Sequence, residues 1–132
     1  MSVSDPIADM LTCIRNANRI HRDSLLVPAS KLKKGLAEVL KREGFIEDVR
    51  FLEESAQGKL KIYLKYGPDG EHVIHAIDRV SRPGRRVYAG AEGIVPFRNG
   101  IGVRVVSTPA GILSDRECRD RRVGGEVLCE VW

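Results

Sequence analysis

Apolar side chains recur at helical spacing at Ile7, Met10, Leu11 and Ile14, behind a Ser4-Asp5-Pro6 segment that offers a cap followed by proline. This pattern predicts an amphipathic helix ending near residues 16–18. A short strand is expected over 25–27. Ser30 then caps a second helix over 31–43, with Leu32, Leu36, Val39 and Leu40 as its apolar stripe and Gly44 as its stop. Next, the period changes. Leu60, Ile62, Leu64 and Tyr66 alternate with Lys59, Lys61, Tyr63 and Lys65, the mark of a strand with one wet face. Strands over 45–51 and 59–66 are joined through Ser55-Ala56-Gln57-Gly58, which makes the first part α-β-α-β-β.

Gly67-Pro68-Asp69-Gly70 interrupts two strand patterns and is the predicted boundary between domains over 1–66 and 71–132. The second part begins with a strand over 72–80. Pro83-Gly84 fits the centre of a type II turn, so a hairpin to a strand over 85–89 is expected. A glycine-rich stretch over 90–102 follows, with a short helix or turn near 96–99. Val103, Val105 and Val106 then suit a buried strand, followed by a small polar loop, Ser107-Thr108-Pro109-Ala110-Gly111. Ser114-Asp115-Arg116-Glu117 is a capping box for a short helix ending before Gly124-Gly125, and a strand over 126–132 closes the chain. The expected fold class is mixed α/β (α+β), with two small domains, the second mostly β.

Charge sharpens this picture. The 132 residues carry a formal charge of +4 and a pI of about 9.1, which favours an anionic partner. From Pro68 onward every basic residue is an arginine, the side chain whose planar fork suits phosphate. Arg79, Arg82, Arg85, Arg86 and Arg98 surround the expected hairpin and glycine-rich stretch, with Tyr88 near them. Phosphate pairing, a stacking surface and small loop residues are what RNA recognition uses. Lys31, Lys33 and Lys34 crowd a helix N-terminus, where cations are unfavourable unless an anion lies close, although the trio by itself fits a solvated lysine face better.

The Ser107–Gly111 loop has two readings from its own residues. Short hydroxyls on a rigid strand, with Gly111 permitting close approach, would read an external partner. The same Ser-Thr-Pro would also make a local turn whose hydroxyls bond nearby backbone.

Enzyme chemistry has little to stand on. Gly100-Ile101-Gly102 leads into a strand without the third glycine of a dinucleotide site, and no Walker lysine motif occurs. Ser107 sits in no nucleophile elbow. Cys13, Cys118 and Cys129 are odd in number and far apart, against a disulfide framework or zinc site and in keeping with a reducing compartment. Neither a signal segment nor a membrane span is visible, so a cytoplasmic protein without metal or cofactor is expected.

Five motifs in order carry a family resemblance: Asp5-Pro6-Ile7-Ala8-Asp9-Met10-Leu11, Lys41-Arg42-Glu43-Gly44-Phe45-Ile46, Val80-Ser81-Arg82-Pro83-Gly84, Asn99-Gly100-Ile101-Gly102, and Val105-Val106-Ser107-Thr108 through Gly124-Gly125-Glu126-Val127-Leu128-Cys129. Over essentially the whole chain the sequence resembles the bacterial-type small-subunit ribosomal protein S8 family. That resemblance implies a two-domain protein that binds small-subunit (16S) ribosomal RNA directly in its central domain and helps assemble it. It also implies neighbouring ribosomal proteins as partners and, in some members, binding of their own messenger RNA.

Carried over by motif, Ser107 and Thr108 would hydrogen-bond an irregular RNA helix, Gly111 would permit close approach, and Glu126 would support or touch the same surface. Arg86 and Tyr88 come next, and Lys31, Arg15 and Asn16 would add phosphate contacts. The sequence departs from the family pattern at Ala110, where a basic residue is usual, and at Arg98, which replaces an aliphatic residue and would restore some of that charge. The rival reading is a small phosphate-ligand-binding domain or enzyme using the Ser107–Gly111 loop.

Overall fold

A computed structural model of the chain describes residues 4–53 and 56–132. Of the predicted 55–58 connection, Ser55 therefore lies outside the described residues. Helix α1 (Pro6–Arg19) is capped by Asp5, whose carboxylate accepts from the Ala8 N–H at 3.2 Å. It runs past the expected end, and Ile7, Met10, Leu11, Ile14 and Ala17 are buried. β1 (Ser24–Pro28) leads to α2 (Lys31–Arg42), where the Ser30 hydroxyl accepts from Lys33 N–H at 3.1 Å and Gly44 takes a φ of 83° just beyond the end. The stripe of α2 is rotated from the expected one: Leu36, Ala37, Val39 and Leu40 are buried, whereas Leu32 is exposed.

β2 (Ile46–Leu52) and β3 (Lys59–Leu64) complete an antiparallel sheet in the order β1-β3-β2. Burial alternates along β3 as its sequence predicts, and Leu60, Ile62 and Leu64 face the helices. Tyr66 lies beyond the strand, where its backbone makes an isolated bridge with His72 and its hydroxyl donates to the Arg22 carbonyl at 2.7 Å.

The second sheet contains β4 (Ile77–Arg79), β5 (Tyr88–Ala89), β6 (Val103–Thr108), β7 (Gly111–Ser114) and β8 (Gly125–Val131). Three expectations need correcting. The strand over 72–80 shrinks to β4, because the N–H groups of His75 and Ala76 both turn to the Trp132 carbonyl. Arg82 and Arg85 do exchange backbone hydrogen bonds, at 3.1 and 2.9 Å, but Gly84 does not take the positive φ that a type II turn demands. Moreover, β4 and β5 do not pair with each other; they lie end to end along β8, opposite Val131–Cys129 and Glu126–Gly125.

The polar loop is also shorter than expected. β6 turns through Pro109-Ala110 into β7, so Thr108 lies opposite Gly111 in a tight hairpin. From β7 the chain enters α3 (Asp115–Arg121), with both halves of the Ser114–Glu117 capping box formed. Between β5 and β6 run two short 3-10 turns, Ala91–Gly93 and Phe97–Gly100.

One apolar core runs from Ile7 through the first sheet to Ile77, Val103, Val105, Leu128 and Val131, so the two sheets pack on a shared core. α2 makes part of that junction. A Cβ on Gly35 would stand 2.6 Å from Ile112, so only glycine lets α2 sit this close to β7. A smaller cluster of Ile94, Val106, Leu113 and Cys118 fills the other face of the second sheet under α3.

Candidate nucleic-acid interface

Strand register brings four positions into one row. Tyr88 on β5 is opposite Glu126 on β8, Glu126 is opposite Ser107 on β6, and Ser107 is opposite Ile112 on β7. Directly opposed residues of antiparallel strands project from the same face, so distant sequence positions become neighbours. The intimacy is enforced by glycine: a Cβ on Gly125 would fall 1.9 Å from the Ser107 carbonyl oxygen.

Within the row each side chain has a distinct environment. Tyr88 is 70% exposed, and its ring packs in neither apolar cluster. Ser107 is half-buried, and its hydroxyl makes no hydrogen bond among the described residues. A fixed hydroxyl with its donor and acceptors unspent is suited to an external partner. Thr108 behaves otherwise. Its hydroxyl donates to the Gly111 carbonyl at 2.8 Å and accepts from the Ala110 N–H at 3.0 Å, the local turn motif that the sequence also allowed. Gly111 has a φ of 114°, a conformation that strains any side chain, and a Cβ there would meet only open space.

Glu126 anchors the row. Its Oε2 accepts from the hydroxyl of the fully buried Ser81 and pairs with Arg86 Nη1 at 3.0 Å. The Ser81 oxygen in turn accepts from the Val87 N–H at 3.1 Å. This chain ties the turn before β5 to β8 and holds a half-exposed guanidinium on Glu126, the residue opposite Tyr88. Ser81 stands in the Val80–Gly84 motif, but nothing in the sequence marks its bond to Glu126.

The remaining predicted residues lie on the first half of the chain. Lys31 is exposed at the start of α2, on a groove of about 320 Å³ shared with Lys34, Phe51 and Gln57. Lys33 leaves that trio: it is buried, and its Nζ donates to the Pro28 carbonyl at 3.3 Å. Arg15 donates to the Ile77 carbonyl and lies 3.8 Å from Asp78, so it bridges α1 to β4. Asn16 is exposed on the same helix, on a groove that also includes Arg19 and Arg22. Arg98 does not restore charge at Ala110. Its guanidinium lies 3.7 Å from the centre of the Trp132 ring, at the opposite end of β8 from Glu126. Among the described residues no cluster of His, Cys, Asp and Glu could hold a metal ion, and no helix is long and apolar enough to cross a membrane.

Comparison with known proteins agrees with the ordered motifs. The profile of the family described as ribosomal protein S8 matches residues 5–132. Proteins named small ribosomal subunit protein uS8 from Lysinibacillus sphaericus and Staphylococcus carnosus are each 53% identical to the chain, and one from Leuconostoc citreum is 51% identical. Each of these alignments covers 100% of both chains. Match of this extent and identity places the chain in the ribosomal protein S8 family.

Proposed function

We propose that Tyr88, Glu126 and Ser107, continued by the hairpin turn from Thr108 to Gly111, form the surface through which the chain reads small-subunit ribosomal RNA. As a member of its family the chain is a structural protein of the small ribosomal subunit and not an enzyme, and its place is the ribosome in the cytoplasm. The observation that supports the site most is the unspent Ser107 hydroxyl, set in a glycine-pinned row between an exposed tyrosine and a glycine turn.

Each residue then has a physical task. Ser107 would donate to or accept from a base edge or ribose hydroxyl in a shallow groove. Tyr88 offers a face for an unstacked base, and Arg86, aimed by Glu126, pairs with phosphate. Thr108 shapes the turn and keeps one acceptor lone pair for RNA. Gly111 leaves room for the sugar-phosphate backbone. Lys31, Arg15 and Asn16 would add phosphate contacts from the first half of the chain; Arg15 would do so with its guanidinium already steadied by the Ile77 carbonyl. Neighbouring subunit proteins would meet surfaces the RNA leaves free, and a messenger RNA folded like the ribosomal site would compete for the same row.

The test is binding of purified chain to a fragment of central-domain ribosomal RNA against an unrelated duplex of equal length. A clear preference for the ribosomal fragment, reduced in Ser107→Ala, is expected. Equal affinity for the two RNAs would overturn the proposal.

A further inference from the structure

The outer face of the first sheet carries chemistry that the hairpin row does not use. Register places Ser24, Tyr63 and Asp48 in one row, Leu26, Lys61 and Arg50 in the next, and Pro28, Lys59 and Leu52 in a third. These residues share a face, and the apolar Leu60 and Ile62 occupy the other. Tyr63 is central. The Arg50 guanidinium stands 5.5 Å and the Lys61 ammonium 5.3 Å from the centre of its ring. Asp48 is the single carboxylate in these rows, and it is already engaged by Lys41 at 2.9 Å and Arg50 at 3.4 Å. Lys59 and Lys61 form no ion pair among the described residues.

We infer that this face is a second nucleic-acid contact, taking a single-stranded RNA segment whose base stacks on Tyr63 and whose phosphates pair with Lys59 and Lys61. A tyrosine lying on a sheet among cations offers a π-face that an unpaired base can use and a paired base, stacked within its helix, cannot. A base entering here replaces a cation over the ring and leaves that cation beside the phosphate. A protein partner fits less well: lysine is depleted in protein interfaces, and the main apolar exposure in these rows is Leu26, 48% exposed. The inference rests on reading the chain as an RNA-binding protein, but not on the part played by the hairpin.

The experiment uses the full chain with a labelled short oligouridylate, and in parallel the structured ribosomal RNA fragment. The wild type should bind the oligouridylate. Tyr63→Ala should weaken that binding by about tenfold and Tyr63→Phe by no more than about twofold, since stacking needs the ring and not the hydroxyl. Lys59→Gln with Lys61→Gln, which leaves the ring and core intact, should also weaken it and flatten its salt dependence. Ser107→Ala should leave the oligouridylate unaffected while harming the structured fragment, so the two sites fail separately. Absence of oligouridylate binding, or binding indifferent to Tyr63→Ala and to the lysine pair, would overturn the inference. Crosslinks from Lys59 and Lys61 to a protein instead of RNA in assembled subunits would also overturn it.

Discussion

The buried hydroxyl of Ser81 donates to the same carboxylate oxygen of Glu126 that pairs with Arg86. Ser81→Ala therefore leaves the Val87 N–H without its acceptor and Glu126 short of a donor. Leaving such buried groups unsatisfied costs about 1–3 kcal/mol. Urea denaturation should show that loss, and weaker binding of the ribosomal RNA fragment should accompany it, because Glu126, which pairs with Arg86, loses its buried anchor. Unchanged stability would mean that the network contributes nothing.

Ser107 and Thr108 should separate by readout. Thr108→Ala removes two turn hydrogen bonds, and a loss of about 1 kcal/mol in folding stability is expected. Ser107→Ala breaks no internal hydrogen bond and should leave stability within about 0.5 kcal/mol while reducing preference for ribosomal RNA. With both changed, discrimination between RNAs should fall while the slope of log affinity against log salt persists, because hydroxyls release no counterions. A collapsed salt slope would show that the loop was holding phosphates through other groups.

Asp5 does two jobs. It caps α1, and it pairs at 3.1 Å with Arg79, whose side chain is only 8% exposed and also donates to the Leu128 carbonyl. Asp5→Ala strands a buried cation and removes the cap, so a loss of about 3–5 kcal/mol is expected in thermal or urea unfolding. Asp5→Asn keeps a capping oxygen and should recover part of it. Equal losses in both variants would assign the whole effect to the charge.

The cysteines predict an alkaline limit. Burial pushes the Cys129 thiol up to about 12, and burial with the nearby Asp115 and Glu117 carboxylates also raises that of Cys118. A thiol raised above its ordinary value of 9.0 favours the folded state fully below that pH, and the contribution is lost as pH climbs from there towards about 12. The thermal midpoint should fall across that window, and less so in Cys129→Val. In the folded protein a thiol reagent should modify exposed Cys13, with Cys118 and Cys129 reacting only after denaturation.

How much of this was written in the chain depends on the length of each pattern. α1, α2 and β3 have periods long enough to be read directly, and the Ser30 and Ser114 caps mark helix starts by their own chemistry. β7 has four residues between a turn glycine and a cap, too few to show a period, so the sequence predicts a small polar loop or local turn there and no strand. β4 is shortened by hydrogen bonds to Trp132 and β5 by the Val87 N–H turning to the Ser81 hydroxyl, tertiary bonds which no local propensity encodes. For the site, the residue types of the row were legible and their neighbourhood was not, since Tyr88, Ser107 and Glu126 meet only through strand register. The Ser81 bond to Glu126, spanning 45 residues, had no signal beyond its motif.

A structure of the small ribosomal subunit assembled with this chain tests the central claim most directly. The Ser107 hydroxyl should lie within hydrogen-bonding distance of a ribosomal RNA base or ribose, with Tyr88 against the same RNA and its backbone running past Gly111. A hairpin row facing solvent or another protein, with the RNA held elsewhere on the chain, would contradict it.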